Sequence, residues 1–277
     1  MHGLRNDFVV VDGRNQLFRP DQEYIRHLCD RHGGVGADQL LVIECSEQAN
    51  ARMRIYNIDG MEAETCLNAT RCVAWLLLQE CGTPVISLET MGGIITCSDA
   101  GEMRVSLRLG PASFEWQSIP LAHPADTAHL DITSGPLTDP CAINVGNPHL
   151  VCFVPDHDAI DVEKWAPAIQ NHPLLPNQAN VGVAQIVASD RIRLVVFERP
   201  GILTQACGSG ACAAALAARR RGLSSSNHFT VEMPGGILDI TLHDDSTFNL
   251  TGEVAVAFGG WLPENPAFNV GQPGNLR

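Results

Sequence analysis

The sequence predicts an α/β (α+β) protein of two pseudo-symmetric domains, each a curved, mostly antiparallel sheet or barrel around a central helix. Three observations carry that expectation. First, Cys207 stands before Gly208-Ser209-Gly210 and an alanine-rich run, and Cys66 stands before a second helical run that ends at Gly82. Second, the two cysteines lie 141 positions apart, and the same offset matches Asn6 with Asn147, Gln39 with Asn180 and Tyr56-Asn57 with Phe197-Glu198. With the offset drifted by two, the run from Leu88 through Gly92-Gly93 to Ile95 matches that from Val231 through Gly235-Gly236 to Leu238. Such regularity reads as an internal duplication of about half the chain. Third, short strand-like runs bounded by turn residues outnumber helical ones in both halves. The expected division is residues 1–112, completed by about 255–277, and residues 113–254.

The elements follow in order. Asp7–Val11 is a strand ending at the turn dipeptide Asp12-Gly13, and an amphipathic helix follows from Pro20-Asp21 through Ile25 and Leu28 to Asp30. A loop through Gly36 leads to the strand 39–43, and the alternating strand 51–56 delivers Asn57 ahead of Cys66. Strands near 85–89, 94–97 and 103–107 have hairpin-like spacing. The β pattern lapses at Gly110-Pro111 into a proline-bearing stretch that runs to about Pro140. The second half repeats the order: strands 142–145 and 150–154, a helix 162–170, and strands 183–187 and 191–197 ahead of Glu198-Arg199-Pro200-Gly201. The last strand-like run, Glu253–Phe258, is read as a return to the first domain.

Composition excludes several classes. The chain has 277 residues, 45% hydrophobic and 18% charged, so it is globular and able to bury a real core. A net charge of −13 with Arg219-Arg220-Arg221 as the one cationic run argues against a nucleic-acid partner. No apolar run is long enough to span a bilayer, and no signal-peptide pattern opens the chain, so a cytoplasmic location is expected. Of ten cysteines, Cys29, Cys45, Cys81, Cys97, Cys141 and Cys152 sit singly within apolar runs and are expected as buried thiols. The Cys66/Cys72 and Cys207/Cys212 spacings of six and five do not suit zinc, so no metal is expected.

The chemistry is read from the two helix starts. Free backbone N–H groups at Gly208, Ser209 and Gly210 can cradle an anion, and the same field favours the thiolate of Cys207. If both starts point at one carboxylate, the α-carbon of that acid lies between two sulfurs on opposite faces. Preorganised N–H dipoles then stabilise the charge that develops when an α-proton leaves. One thiolate takes the proton and the opposing thiol returns one. Lys164 is the only lysine and lies in a peripheral helix, so pyridoxal phosphate is not expected, nor any other cofactor.

Met1-His-Gly-Leu-Arg-Asn-Asp-Phe8, Gly34-Val-Gly-Ala-Asp-Gln-Leu-Leu41, Tyr56-Asn-Ile-Asp-Gly60, Gly146-Asn-Pro-His149, Glu198-Arg199 and Gln205-Ala-Cys-Gly-Ser-Gly-Ala-Cys-Ala-Ala214 together resemble the diaminopimelate epimerase family, over essentially the whole chain. The resemblance implies a cofactor-independent isomerase with a two-cysteine mechanism, often a homodimer. It carries the acid and base roles onto Cys66 and Cys207, with His149 as helper of Cys66 and Glu198 of Cys207. It also implies a small-molecule carboxylate substrate held by Asn6, Gln39, Asn57, Asn147, Asn180 and Arg199, with Leu67, Asn68, Gly208 and Ser209 at the helix starts. Plainer roles stay open: a helix-start thiol for either cysteine, a strand cap for His149, turn residues for the asparagines, and a surface ion pair for Glu198-Arg199.

Three departures from the family pattern bear on the substrate. Leu67-Asn68-Ala69 replaces Gly-Asn-Gly, Ile202-Leu203 replaces a polar turn before the second cysteine, and Arg5 replaces a glycine. These apolar walls favour a specialised-metabolism relative, either a double-bond isomerase acting on an alkylproline precursor in antibiotic biosynthesis or an amino-acid racemase. The alternative is a diaminopimelate epimerase interconverting the LL and meso forms. A third reading, of another class, is a non-catalytic ligand-binding homologue.

Overall fold

A computed structural model describes residues 1–16 and 18–262. The first half runs β1 (His2–Gly3), β2 (Asn6–Asp12), α1 (Gln22–Cys29), β3 (Gln39–Glu44), β4 (Ala51–Asn57), β5 (Glu62–Ala63), α2 (Leu67–Cys81), β6 (Val85–Thr90), β7 (Gly93–Asp99) and β8 (Arg104–Leu109). A small hairpin, β9 (Thr133–Ser134) with β10 (Leu137–Thr138), separates it from the second half. That half runs β11 (Cys141–Asn144), β12 (Pro148–Phe153), α3 (Val162–Gln170), β13 (Asn180–Ala188), β14 (Arg191–Glu198), β15 (Ile202–Thr204), α4 (Gly208–Arg220), β16 (His228–Met233), β17 (Gly236–Leu242) and β18 (Phe248–Glu253). The mixed α/β class read from the sequence is the one observed.

The pairing repeats in register. Strands β2 and β3 are parallel with Phe8 opposite Gln39, and β12 and β13 are parallel with His149 opposite Asn180, the positions predicted from the duplication. Leu40 faces Tyr56 across β3 and β4, as Val181 faces Phe197 across β13 and β14. Leu88 faces Ile95 in one half and Val231 faces Leu238 in the other. The halves then join, because β8 pairs antiparallel with β18 to make one sixteen-stranded sheet. At that seam Leu107 lies opposite Leu250, its own counterpart in the drifted register of the repeat, so a pseudo-twofold axis passes between them.

Helix α2 packs on β1, β6, β7 and β8, and α4 packs on strands β11 to β14 and β16 to β18, so each helix fills the hollow of its own half. Alanine dominates α4, where all six of its alanines lie buried, because the hollow leaves little radial space between helix and sheet. Helix α2 stops at Gly82, whose left-handed φ of 63° ends it with an N–H to the Leu78 carbonyl. Helix α1 begins at Asp21, whose carboxylate accepts from the Tyr24 N–H. One core, from Leu4 to Val254, runs through both hollows. The stretch between Gly110 and Pro140 carries Ile119, Leu121, Leu130 and Ile132 into a second core that backs α3.

Several expectations need correction. Cys45 and Cys81 are exposed, because one follows the end of β3 and the other closes α2 at the surface; Cys29, Cys97, Cys141 and Cys152 are buried as read. The strand predicted over Glu253–Phe258 ends at Glu253, with only an isolated bridge from Ala255 back to His2. It is the preceding run, Phe248–Glu253, that crosses to the first half, since its alternation of buried Phe248, Leu250 and Gly252 lines the seam. Residues 263–277, expected to help complete the first domain, lie outside the described residues. No helix among the described residues is long and apolar enough to cross a membrane.

Candidate active site

The two cysteines are the N-cap residues of α2 and α4, each in extended conformation at the point where the chain enters its helix. Cys207 Sγ takes the Gly210 N–H at 3.3 Å, so sulfur plays the part that a serine oxygen usually fills. Cys66 makes no such cap; its Sγ lies 3.6 Å from Asn6 Oδ1, and the N–H groups of Asn68 and Ala69 are directed at the sulfur. The helix starts abut. A Cβ added at Gly208 would meet Leu67 Cβ at 3.1 Å, so glycine there makes room for the leucine.

That contact revises the expected effect of Leu67. Its bulk turns toward the opposing helix start, and the N–H cradle around Cys66 persists. The other apolar departure is revised as well. Ile202 and Leu203 are exposed on the short strand β15, while Thr204 turns inward and donates to Glu198 Oε1 at 3.1 Å. Arg5 sits in a two-residue turn with Leu4, both at positive φ (54° and 68°), which explains why glycine suits that position. The turn delivers Asn6 to the site at the first residue of β2.

Around the second cysteine, the imidazole of His149 is fully buried. Its Nε2 lies 3.0 Å from Ser209 Oγ, 3.1 Å from Asn147 Oδ1 and 3.3 Å from Asn180 Nδ2. Ser209 Oγ in turn lies 3.5 Å from Cys207 Sγ. His149 thus connects to the helix start of Cys207, and its hydrogen bonds among the described residues do not include Cys66, the partner implied by the resemblance. Burial first, and the nearby Arg199 second, push its pKa down to about 3, so the ring is neutral at physiological pH. Asn180 Oδ1 accepts the Arg199 N–H at 2.9 Å, fixing the backbone from which the Arg199 side chain departs. Further along the sheet, Gln39 donates to Asn57 Oδ1 at 2.8 Å and leaves its own Oε1 buried without a partner.

The electrostatics of the two sulfurs run against the simple helix-dipole expectation. Burial pushes the Cys207 thiol well above its ordinary range, the Glu198 carboxylate pushes it further, and the Ser209 hydroxyl and Gly210 N–H only partly offset this. Desolvation outweighs the helix-terminal field because water is excluded on every side. Burial also pushes Cys66 up, to about 11, against the pull of the Ala69 and Asn68 N–H groups and of Arg71. Arg71 is the residue that sequence reasoning missed. It sits one turn into α2, fully buried among Asn68, Thr70 and the helix's apolar residues. The signal available was a lone arginine at position i+4 from Leu67 in a run of buried residues.

The arrangement can do a specific kind of chemistry. Two cysteines occupy the N-cap positions of helices whose N-termini meet, so an anion bound at either helix start would face backbone N–H donors with a thiol beside it. Comparison with known proteins shows the family and the fold. The sequence pattern of one family, diaminopimelate epimerase, matches residues 1–115 and 141–257. The diaminopimelate epimerase of Phenylobacterium zucineum is 46% identical over 95% of this chain and 96% of its own length. That of Rhodospirillum centenum is 43% identical over 95% and 91%. Among solved structures, a phenazine biosynthesis protein of the PhzF family from Bacillus anthracis shares the fold, with a TM-score of 0.65 at 17% identity over 91% of this chain and 92% of its own. A hydroxyproline epimerase from Agrobacterium vitis does so with a TM-score of 0.53 at 16% identity over 82% and 76%.

Proposed function

The chain belongs to the diaminopimelate epimerase family and is an isomerase; from that premise we propose that it interconverts LL- and meso-diaminopimelate with Cys66 and Cys207 as the acid–base pair. The observation that carries the reading is the meeting of the two cysteine-capped helix starts at Leu67 and Gly208. The relatives favour this reaction over the double-bond shift or racemisation that the departures pointed to. The departures themselves lose their force, since Leu67 packs against Gly208 and Ile202 and Leu203 face outward.

On this reading the α-carboxylate sits between the helix N-termini, held by N–H groups of Asn68 and Ala69 on one side and Gly208 and Ser209 on the other. The thiolate on one face takes the α-proton: the C–H bond breaks, an S–H bond forms, and the electron pair spreads into the carboxylate. The opposite thiol then gives its proton to the other face of the carbon. A new C–H bond forms, and the thiolate now resides on the second cysteine. No electron leaves or enters the pair of reactants. Each well-placed donor to the developing charge contributes about 10²–10³ in rate. Neutral His149 orients Ser209, and Glu198, held by Thr204, keeps Cys207 protonated until it donates. The distal amino-acid end of the substrate lies against Asn6, Asn57, Asn147, Asn180 and Arg199, where the unpartnered Gln39 Oε1 suits an ammonium group and Arg199 a carboxylate.

The test is to incubate the reduced protein with LL- and meso-diaminopimelate in deuterated buffer and follow the α-hydrogens by NMR. Exchange and epimerisation, both lost in Cys66→Ser and Cys207→Ser, are expected. A folded protein with free thiols that exchanges neither isomer rejects this substrate and returns the search to cyclic or apolar carboxylates.

A further inference from the structure

Beneath the first cysteine the fold buries a cation without a counter-anion. Arg71 has no exposed surface, and among the described residues no carboxylate pairs with it. Its Nη2 donates to Asn68 Oδ1 at 2.8 Å and its Nη1 to the Leu67 carbonyl at 3.4 Å, while Nε is buried without an acceptor. Space for the guanidinium is cleared by glycines on two strands. A Cβ at Gly3 would lie 3.2 Å from Nη2, and one at Gly252 would lie 3.1 Å from Nε. An uncompensated buried charge is unfavourable, so its retention points to an anion that forms nearby.

The duplication sharpens the point. The position equivalent to Arg71 in α4 is Cys212, so the cation belongs to one half-site only. The second half-site has the opposite sign, with the Glu198 carboxylate beside Cys207. Arg71 also fixes an orientation. A guanidinium only donates, so Asn68 must turn Oδ1 toward it and Nδ2 away. That leaves Nδ2 3.4 Å from Asn6 Oδ1, the oxygen that also lies beside Cys66 Sγ.

We infer that Arg71 is a positioning residue for Cys66: it holds the Asn68 amide with its donors toward the site and supplies a buried, unpaired positive charge on the Cys66 side of the pair and not on the Cys207 side. The inference rests on Cys66 and Cys207 being the acid–base pair, and it does not depend on the substrate. The charged and titratable groups facing Cys66 are Arg71 from α2 and Glu198 from β14. Those facing Arg71 are the thiols of Cys66, Cys72 and Cys212. Burial pushes Cys72 up to about 12 and Cys212 higher still, so neither is the anion that Arg71 complements.

The experiment is iodoacetamide alkylation of the reduced, full-length protein across a pH series without substrate, with each cysteine followed separately by peptide mass spectrometry. The pH midpoint of alkylation reports ionisation and is insensitive to access. The expected result is a lower midpoint for Cys66 than for Cys207 in the unmodified protein. Arg71→Gln should raise the Cys66 midpoint by about one unit, a roughly tenfold slower reaction at fixed pH below it, and leave Cys207 in place. Arg71→Lys, which keeps a cation, should restore the original order. A lower midpoint at Cys207 in the unmodified protein overturns the inference, as does a folded Arg71→Gln protein with an unmoved Cys66. If circular dichroism shows Arg71→Gln to be unfolded, the unmodified protein and Arg71→Lys decide. Because diaminopimelate is absent from every arm, failure of the proposed substrate leaves this outcome untouched.

Discussion

At the scale of single residues, the site depends on atoms that a side-chain class does not specify. Gly208 is there because Leu67 occupies the space its Cβ would take. Gly208→Ala should therefore lower stability and turnover, and Leu67→Gly, which removes the Cβ that would lie 3.1 Å away, should relieve part of the cost, the rest falling on Leu250 Cδ1 at 3.1 Å; a double-mutant cycle by urea denaturation should give a coupling of about 0.5–3 kcal/mol. Ser209→Ala removes the hydroxyl between His149 and Cys207, and under the acid–base pair proposed above it should cut kcat by about tenfold or more with KM nearly unchanged. Most of the site was legible from residue types, since cysteines at helix starts and asparagines in repeat register each imply a donor or acceptor at a set place. Arg71 was not, because a lone arginine in a largely apolar helical run is as well explained by a stem lying on the core with its head in water as by full burial. The direction of the Cys207 shift was not either, since desolvation depends on how many atoms surround the sulfur and the helix field does not.

Among the elements, the β1–β2 turn shows a local conflict. Leu4 and Arg5 adopt left-handed conformations that cost non-glycine residues about 1–2 kcal/mol each. The turn persists because Leu4 docks on Gly235 and Gly236 of the β16–β17 turn, where a Cβ would meet it at 2.5 Å. Arg5→Gly should gain up to about 1 kcal/mol in chemical denaturation, less the backbone entropy that glycine adds to the unfolded chain. The paired elements with strong alternation, such as β4, were readable from period alone. The strand β15 was not, because three residues carry too little pattern, and the end of β18 was displaced because Glu253–Phe258 continues the same alternation past the last paired residue.

For the whole molecule, the seam between β8 and β18 couples the halves. Trp75 lies in α2, and Trp116 and Trp165 lie around the second core. Single-tryptophan variants reporting each half should unfold at one urea midpoint, and two separated midpoints would show that the seam does not transmit cooperativity. Stability should also fall at both ends of the pH range. His149 is held neutral with its pKa near 3, below its ordinary 6.5, so the unfolded chain binds the extra proton and stability declines as pH drops through that window. The buried thiols of Cys97, Cys141 and Cys152 are pushed up to about 12 from 9, so the unfolded chain ionises first and stability declines as pH rises between those values. Denaturation midpoints measured across pH should trace both slopes, and His149→Phe, if folded, should flatten the acid one. The pairing of Leu107 with Leu250 has a consequence for descent. A residue that faces its own counterpart across a dyad is the signature of two identical chains meeting edge to edge. A half-length precursor ending at the β8 edge would find the same register on a second copy of itself. Fusion of the two would then free each helix start to diverge, and one now carries an arginine where the other carries a cysteine.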